Sequence, residues 1–217
     1  MDEADDLRAG VLYAHGKHFT AGLDLPKWAE RMRDGAPLSR GGTVDPTALG
    51  RKCSKPIVAA VQGITYTLGI ELMLAADIVV AADDCRFSQL EPKRGIMATG
   101  GATFRFVDRG GWGNAMYHLL IADEWDADEA RRVGQVQEVV PTGTQLERAL
   151  ELASKIAALA PLAIQETKAS ARRYIERGEA ACKAEFGETQ SRLARSEDAA
   201  EGLRSFVERR DPVFKGR

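Results

Sequence analysis

The stretch KPIVAAVQGITYTLGIELMLAADIVVAADDCRFSQLEPKRGI, residues 55–96, decides the fold. Its IVAAV segment (57–61) is a continuous apolar run of strand length, the pattern of a strand covered on both faces of a sheet. Lys55–Pro56 leads into it, and a proline biases the residue before it toward extended backbone. Gln62–Gly63 then turns the chain. GIELMLAA (69–76) has helical composition, Asp77 follows, and IVVAA (78–82) is a second wholly apolar strand. Two such strands around a short helix form a β–α–β-like unit, which predicts an α/β fold.

Working outward, GVLYA (10–14) reads as a short buried strand, and HGKHFTAGLDL (15–25) as a glycine-punctuated loop. A helical turn or two is expected over 26–33, a Gly/Pro/Ser-rich loop over 34–46 and a helix around 46–53. After CRFSQLEP (85–92) comes a small-residue segment, GIMATGGATFRF (95–106), and VQEVVP (136–141) is the last convincing strand. The C-terminal third reads as all helix. QLERALELASKIAALA (145–160) sets Leu146, Leu150, Ala153, Ile156 and Ala157 on one face. Pro161 opens a second helix that runs to about Arg177, before Gly178. A third follows from Glu179. Ser196–Glu197–Asp198 caps a fourth, 199–209, which Asp211–Pro212 ends. These patterns divide the chain into a core over 1–142 and a helical region over 143–217.

The chain has 217 residues, 44% of them hydrophobic, enough for a sizeable core. Lys+Arg number 30 against 32 Asp+Glu, a net charge of −2, which argues against a dedicated nucleic-acid binder. No apolar run approaches the roughly 20 residues needed to span a bilayer, and the acidic MDEADDLRAG start lacks a signal peptide's apolar region. Cys53, Cys85 and Cys182 are too sparse and odd in number for a disulfide framework. A cytoplasmic protein with no membrane or nucleic-acid partner is expected.

There is no GxxxxGK[ST] phosphate loop and no GxSxG nucleophile elbow, and Gly100–Gly101 lacks dinucleotide-fingerprint spacing. His15 and His18 stand three apart with no further metal ligands near them, so no metal site is expected. Two junctions remain: TAGLDL (20–25), a loop that ends a strand, and TYTLGIE (65–71), which enters a helix. Strand-end loops gather ligands in α/β folds, and helix N-termini present unpaired N–H groups to negative charge. By position alone, Glu71 is either a capping carboxylate or an acid–base group. Glu91, just before a proline, is either a solvated loop carboxylate or its partner.

Several stretches together resemble the enoyl-CoA hydratase/isomerase (crotonase) family. HGKHFTAGLDL is similar to its loop ending in A-G-x-D-L. Residues 55–96 resemble its K-P-x-I-A-A-V-x-G…G-x-E-L-x-x-A-C-D-I…F-x-x-P-E-x-x-x-G segment, and SEDAAEGLRSFVERRDPVFKGR (196–217) its D-x-x-E-G…F-x-E-K-R-x-P-x-F-K-G ending. The resemblance implies a spiral of ββα units with a C-terminal helical trimerisation region, assembled as a homotrimer or dimer of trimers. It implies an acyl-CoA thioester substrate, with coenzyme A as part of that substrate and no separate cofactor. The family's two oxyanion-hole N–H groups fall on Leu23, after Ala21–Gly22, and on Leu68. Preorganised donors of this kind are worth roughly 3–4 kcal/mol each in comparable sites. Its two glutamates fall on Glu71 and Glu91. The flanking Asp24, Gly69 and Thr99, with Phe214 and Lys215 at the C-terminus, fall on substrate- or CoA-binding positions.

The departures are specific. The family has consecutive glycines at 67–69, where this chain has Thr67, Leu68 and Gly69; leucine cannot take glycine's backbone freedom cheaply. Thr99 stands where a water-contacting glycine often sits. The family begins roughly 35–45 residues earlier, about two strands and a helix. A truncation, a misplaced start codon or a short paralogue each accounts for that. The expected reaction is hydration of a 2-enoyl-CoA. A double-bond isomerase, another crotonase chemistry such as thioester hydrolysis, and an inactive CoA-binding paralogue are the alternatives.

Overall fold

The computed structural model describes residues 1–36 and 42–217. Part of the expected 34–46 loop lies outside the described residues. Two compact units are seen, one of Val11–Cys53 with Ile57–Glu151, the other of Met1–Gly10, Ser54–Pro56 and Leu152–Arg217.

The larger unit is α/β and winds as repeated strand–strand–helix steps. After β1 (Gly10–Leu12) and α1 (Leu25–Arg33), the first full step is β2 (Ile57–Val61), β3 (Ile64–Tyr66) and α2 (Leu68–Ala75). The second is β4 (Ile78–Ala82), β5 (Arg86–Ser88), a 3₁₀ turn over Glu91–Arg94, and α3 (Ala102–Ile121). β6 (Trp125–Asp126), α4 (Ala127–Arg132) and β7 (Glu138–Val140) follow. The first strand of each step enters a sheet of order β1-β2-β4-β7 and the second a sheet of order β3-β5-β6. β2 and β4 pair in parallel with Val58 opposite Ile78, β3 and β5 in parallel with Ile64 opposite Arg86. Each step therefore repeats the last, displaced by one strand in both sheets.

The apolar runs form this structure because burial rewards them on both faces. Val58–Val61 and Val79–Ala82 are wholly inaccessible, and Ala59, Val61, Val79, Ala81 and Ala82 share one core cluster with Ile70 and Met73 of α2 and with Phe87 and Phe106. The tight passage from β2 to β3 demands Gly63. Its φ is +53°, and a Cβ there would stand 2.5 Å from both His18 Nδ1 and the Lys17 carbonyl. His18 Nδ1 accepts the Ile64 N–H at 3.0 Å, which makes this histidine a strand-end clamp. Asp77 registers the parallel pair: its Oδ2 accepts the Ile57 N–H at 2.7 Å, and its own N–H donates to the Ile57 carbonyl at 2.9 Å. The half-buried Arg109 guanidinium donates to the carbonyls of Leu74, Ala76 and Gln135, holding the C-terminal end of α2.

Two expectations need correction. Residues 46–53 form turns instead of a helix, because the Asp45 carboxylate accepts the N–H groups of Thr47, Leu49 and Gly50 and the Thr47 hydroxyl. Side-chain acceptance of that kind competes with helical bonding. The 20-residue α3 stands where the sequence reading saw only a small-residue segment at its start. Gly110, Gly111 and Gly113 dilute its helical pattern, and Gly111 (φ 74°, ψ 165°) kinks it into two. The short β3, β5 and β6 also escaped, since two or three residues carry no readable period.

In the helical unit, α6 (Pro161–Ala194) is broken at Gly178 (φ 79°), which yields the two helices expected on either side of it. α7 (Glu197–Glu208) is capped by Ser196, whose Oγ accepts the Ala199 N–H at 3.0 Å. α5 (Gln145–Ala157) precedes both. The C-terminal tail is tied down. Asp198 accepts the N–H groups of Lys215 (2.6 Å) and Gly216 (2.8 Å), and Glu201 accepts from Arg210 and from the Val213 N–H. Arg210 and that N–H hold the Glu201 carboxyl down to about 2. All three cysteines are buried and none is in a disulfide. No helix among the described residues is long and apolar enough to cross a membrane.

Candidate active site

A cavity of about 180 Å³ opens in the α/β unit where the strand-end loop, the N-terminus of α2 and the 3₁₀ turn meet. Ala21, Leu23 and Leu25 line one side, Thr67, Leu68 and Glu71 another, and Leu90, Glu91, Arg94, Ile96, Met97 and Thr99 a third, with Met32 of α1. Sequence reasoning placed six of these at the site: Ala21, Leu23, Leu68, Glu71, Glu91 and Thr99.

Backbone pairing brings the two loops together. Thr20 bridges Thr65 in parallel, so TAGLDL is laid alongside the strand that feeds α2. Gly22 (φ +107°) permits the close approach: a Cβ there would lie 2.0 Å from Thr67 Oγ1. Gly69 does the same on the far side, where a Cβ would meet Thr20 Cγ2 at 2.8 Å. Neither glycine lines the cavity; both set its walls. Leu68, first residue of α2, carries an N–H with no carbonyl behind it inside the helix.

The structure moves the backbone cost expected at Leu68 to its neighbour. Leu68 enters the helix directly, while Thr67 takes φ 49°, ψ −113°. That is the first central position of a type II′ turn, ordinarily glycine, and a β-branched residue there is an outlier. Thr67→Gly is expected to raise the free energy of unfolding by about 1–2 kcal/mol, measured by urea denaturation. A lower midpoint would show that the side chain contributes more than its backbone costs.

Glu71 and Glu91 are 3% and 8% exposed, though each is acidic. Glu71 lies in the first turn of α2 but caps nothing there. Its Oε1 instead accepts the Gly100 N–H at 2.5 Å. Burial raises its carboxyl above the ordinary range, opposed by the N–H groups of Gly100 and Ala102 and by the Arg105 guanidinium. The Arg105 guanidinium donates to the Gly100 carbonyl at 3.1 Å, so it steadies the loop that holds Glu71 and stays outside the cavity lining. Glu91 is pushed up to about 7, first by burial and further by the charge of Glu71. Its Oε2 is buried with no hydrogen-bond partner among the described residues. A carboxyl near half-protonation at neutral pH, with a free oxygen in a cavity, suits proton transfer.

The other residues singled out in the sequence are not among those that line this cavity. Asp24 precedes α1 and pairs with Lys27 at 2.6 Å. Phe214 and Lys215 belong to the helical unit: the Phe214 carbonyl accepts from Arg8, and the Lys215 side chain is exposed. Trp125 is buried and donates to Gln135, Trp112 is exposed, and Trp28 carries the Arg31 guanidinium over its ring. No metal-binding group of His, Cys, Asp or Glu occurs among the described residues. Sequence reasoning missed the apolar wall of Leu25, Met32, Leu90, Ile96 and Met97, and the cationic Arg94. The position of Arg94, three after Glu91, was its one available signal.

A spiral of ββα steps with two buried glutamates and a helix N-terminus around one cavity defines a crotonase-type enzyme. The profile of the enoyl-CoA hydratase/isomerase family matches residues 1–217, and the chain belongs to that family. A probable enoyl-CoA hydratase/isomerase from Mycobacterium abscessus superposes with a TM-score of 0.96 at 47% identity, covering all of this chain and 84% of that one. The 2,3-dehydroadipyl-CoA hydratase of Escherichia coli is 36% identical over 95% of this chain and 80% of its own length. A carnitinyl-CoA dehydratase of Citrobacter koseri is 35% identical over 98% and 83%.

Proposed function

We infer that the enzyme adds water across the 2,3 double bond of a 2-enoyl-CoA thioester, and is thus a lyase. The observation that carries this is the pair of buried glutamates in one cavity, held in different states: Glu71 fixed by the Gly100 N–H, Glu91 near neutral pKa with a free oxygen. Glu71 holds the water and accepts its proton as oxygen bonds to C3. Glu91, protonated, delivers a proton to C2. As oxygen bonds to C3, the pair of the C2=C3 bond shifts to C1–C2 and the carbonyl pair moves onto the thioester oxygen as an enolate, and the N–H groups of Leu23 and Leu68 stabilise that charge. The addition is redox-neutral, and coenzyme A enters only as part of the substrate. Relatives named as hydratases and a dehydratase support the reading. A homotrimer or dimer of trimers goes with it, and exposed Leu203, Phe206 and Val207 on α7 support a contact between subunits.

Mixing the enzyme with crotonyl-CoA is expected to remove the conjugated-enoyl ultraviolet absorbance. Absorbance that stays flat with short and medium chains alike would sink the reading, and conjugation gained from a 3-enoyl-CoA would indicate an isomerase. The pH profile follows from Glu91. Its carboxyl is raised, so the donor form is full below about 7 and lost above it. The kcat/KM should therefore fall as pH rises through about 7. A profile flat from pH 6 to 9 would remove Glu91 as the donor.

A further inference from the structure

Thr67 is the one position where this cavity accepts a costly backbone for the sake of a side chain. Its φ of 49° is glycine territory, yet the residue is β-branched. The side chain does not serve as a helix cap, for Thr67 makes no side-chain bond to the first turn of α2. Its hydroxyl makes no hydrogen bond among the described residues, although Thr67 is half-buried and lines the cavity. Oγ1 lies 2.0 Å from where a Gly22 Cβ would stand, so it rests against the backbone between Ala21 and Leu23. Leu23 is the next residue along that loop, and Leu68 the next residue after Thr67. The hydroxyl therefore belongs to the chain neighbour of one N–H assigned to the thioester oxygen and rests on Gly22, the chain neighbour of the other.

We propose that the Thr67 hydroxyl is a third donor to the thioester oxygen, a catalytic residue acting beside the N–H groups of Leu23 and Leu68. This rests on the hydratase reading for the identity of the bound group. The hydroxyl gives up no proton: it donates a hydrogen bond that strengthens as charge grows on the oxygen, and the bond weakens again as the enolate collapses to product. Glycine at 67 would relax the backbone but leave the cavity with two donors. Threonine keeps the strain and supplies the third. A donor matched to developing charge acts on kcat more than on KM.

The test uses butyryl-CoA labelled with 13C at the thioester carbon, a saturated ligand that cannot be hydrated. Isotope-edited infrared difference spectra read its carbonyl stretch when bound to the wild type and to Thr67→Ser, Thr67→Val and Thr67→Gly. The wild type and Thr67→Ser should hold the stretch well below its solution frequency, with Thr67→Val and Thr67→Gly moved part of the way back. With crotonyl-CoA, Thr67→Val and Thr67→Gly should lose about tenfold in kcat at nearly constant KM, and Thr67→Ser should recover most of it. Thr67→Val keeps the shape without the hydroxyl. Thr67→Gly relieves the backbone, so at least one variant without the hydroxyl folds. An unchanged stretch in both would overturn the proposal, as would loss of the shift in Thr67→Ser. A shifted stretch that responds to Thr67 in an enzyme unable to hydrate crotonyl-CoA would sustain the third donor and sink the hydratase reading.

Discussion

At pH 8, Glu91→Gln is expected to cut the hydration of crotonyl-CoA by 10²–10⁴-fold, the usual worth of a positioned acid or base, while making the protein harder to unfold. Both effects come from one cause. Burial raises the Glu91 carboxyl from 4.5 to about 7, so the folded state holds its proton more tightly than the unfolded chain does. The stability this confers is complete below 4.5 and is lost as pH rises through about 7. Glutamine imitates the protonated form and does not titrate. At pH 8 the variant should therefore gain about 2 kcal/mol over the wild type, less than the full shift implies because its amide is also buried without a partner. At pH 4, where the wild-type carboxyl is protonated in both states, that gain should be gone and the variant should be no more stable than the wild type. Urea denaturation at both pH values measures the difference, in which groups common to both proteins cancel. Equal stabilities at pH 8 would show that Glu91 titrates near its ordinary value in the folded protein. An unchanged turnover would remove it from the chemistry.

Gly100→Ala should be nearly as damaging to activity, although residue 100 contributes only backbone. The Gly100 N–H bonds Glu71 Oε1 at 2.5 Å, and a Cβ at 100 would stand 2.3 Å from Oε2 and 2.6 Å from Cδ of the same carboxyl. Alanine still offers the N–H, but its methyl and the carboxylate claim one space. Either Glu71 turns away or the loop over 99–101 retreats. A displacement of about 1 Å in a positioned group can cost roughly 100-fold, and that loss is expected in kcat/KM for crotonyl-CoA. Thermal unfolding should change far less, since the clash falls on a side chain at the cavity edge. Full activity in Gly100→Ala would mean that the placement of Glu71 does not matter to the reaction.

Much of this molecule is legible along the chain. The uninterrupted IVAAV and IVVAA runs name two core strands because only strands covered on both faces tolerate such composition. Pro161, Gly178 and Ser196 mark the helices of the C-terminal third, because proline, glycine and a capping hydroxyl act locally, through backbone angles and single hydrogen bonds. The resemblance of TAGLDL, TYTLGIE and LEPKRGI (90–96) to crotonase-family segments pointed to Glu71, Glu91, Leu23 and Leu68, and the fold sets all four around one cavity.

Other features depend on groups far apart in sequence, and only the tertiary structure decided them. Whether Glu71 caps its own helix or faces the cavity turns on the Gly100 N–H, 29 residues away. The rise of Glu91 to about 7 comes from burial and from Glu71, neither of which a proline-flanked glutamate announces. The backbone cost of replacing the family's glycines fell on Thr67, because the pairing of Thr20 with Thr65 and the closeness of Gly22 dictate where the chain must bend. Local chemistry thus determined the strands and the caps, and the family resemblance the identity of the acidic pair. The protonation and aim of those acids, and the strained threonine beside Gly22, arise from through-space packing that no window of sequence contains.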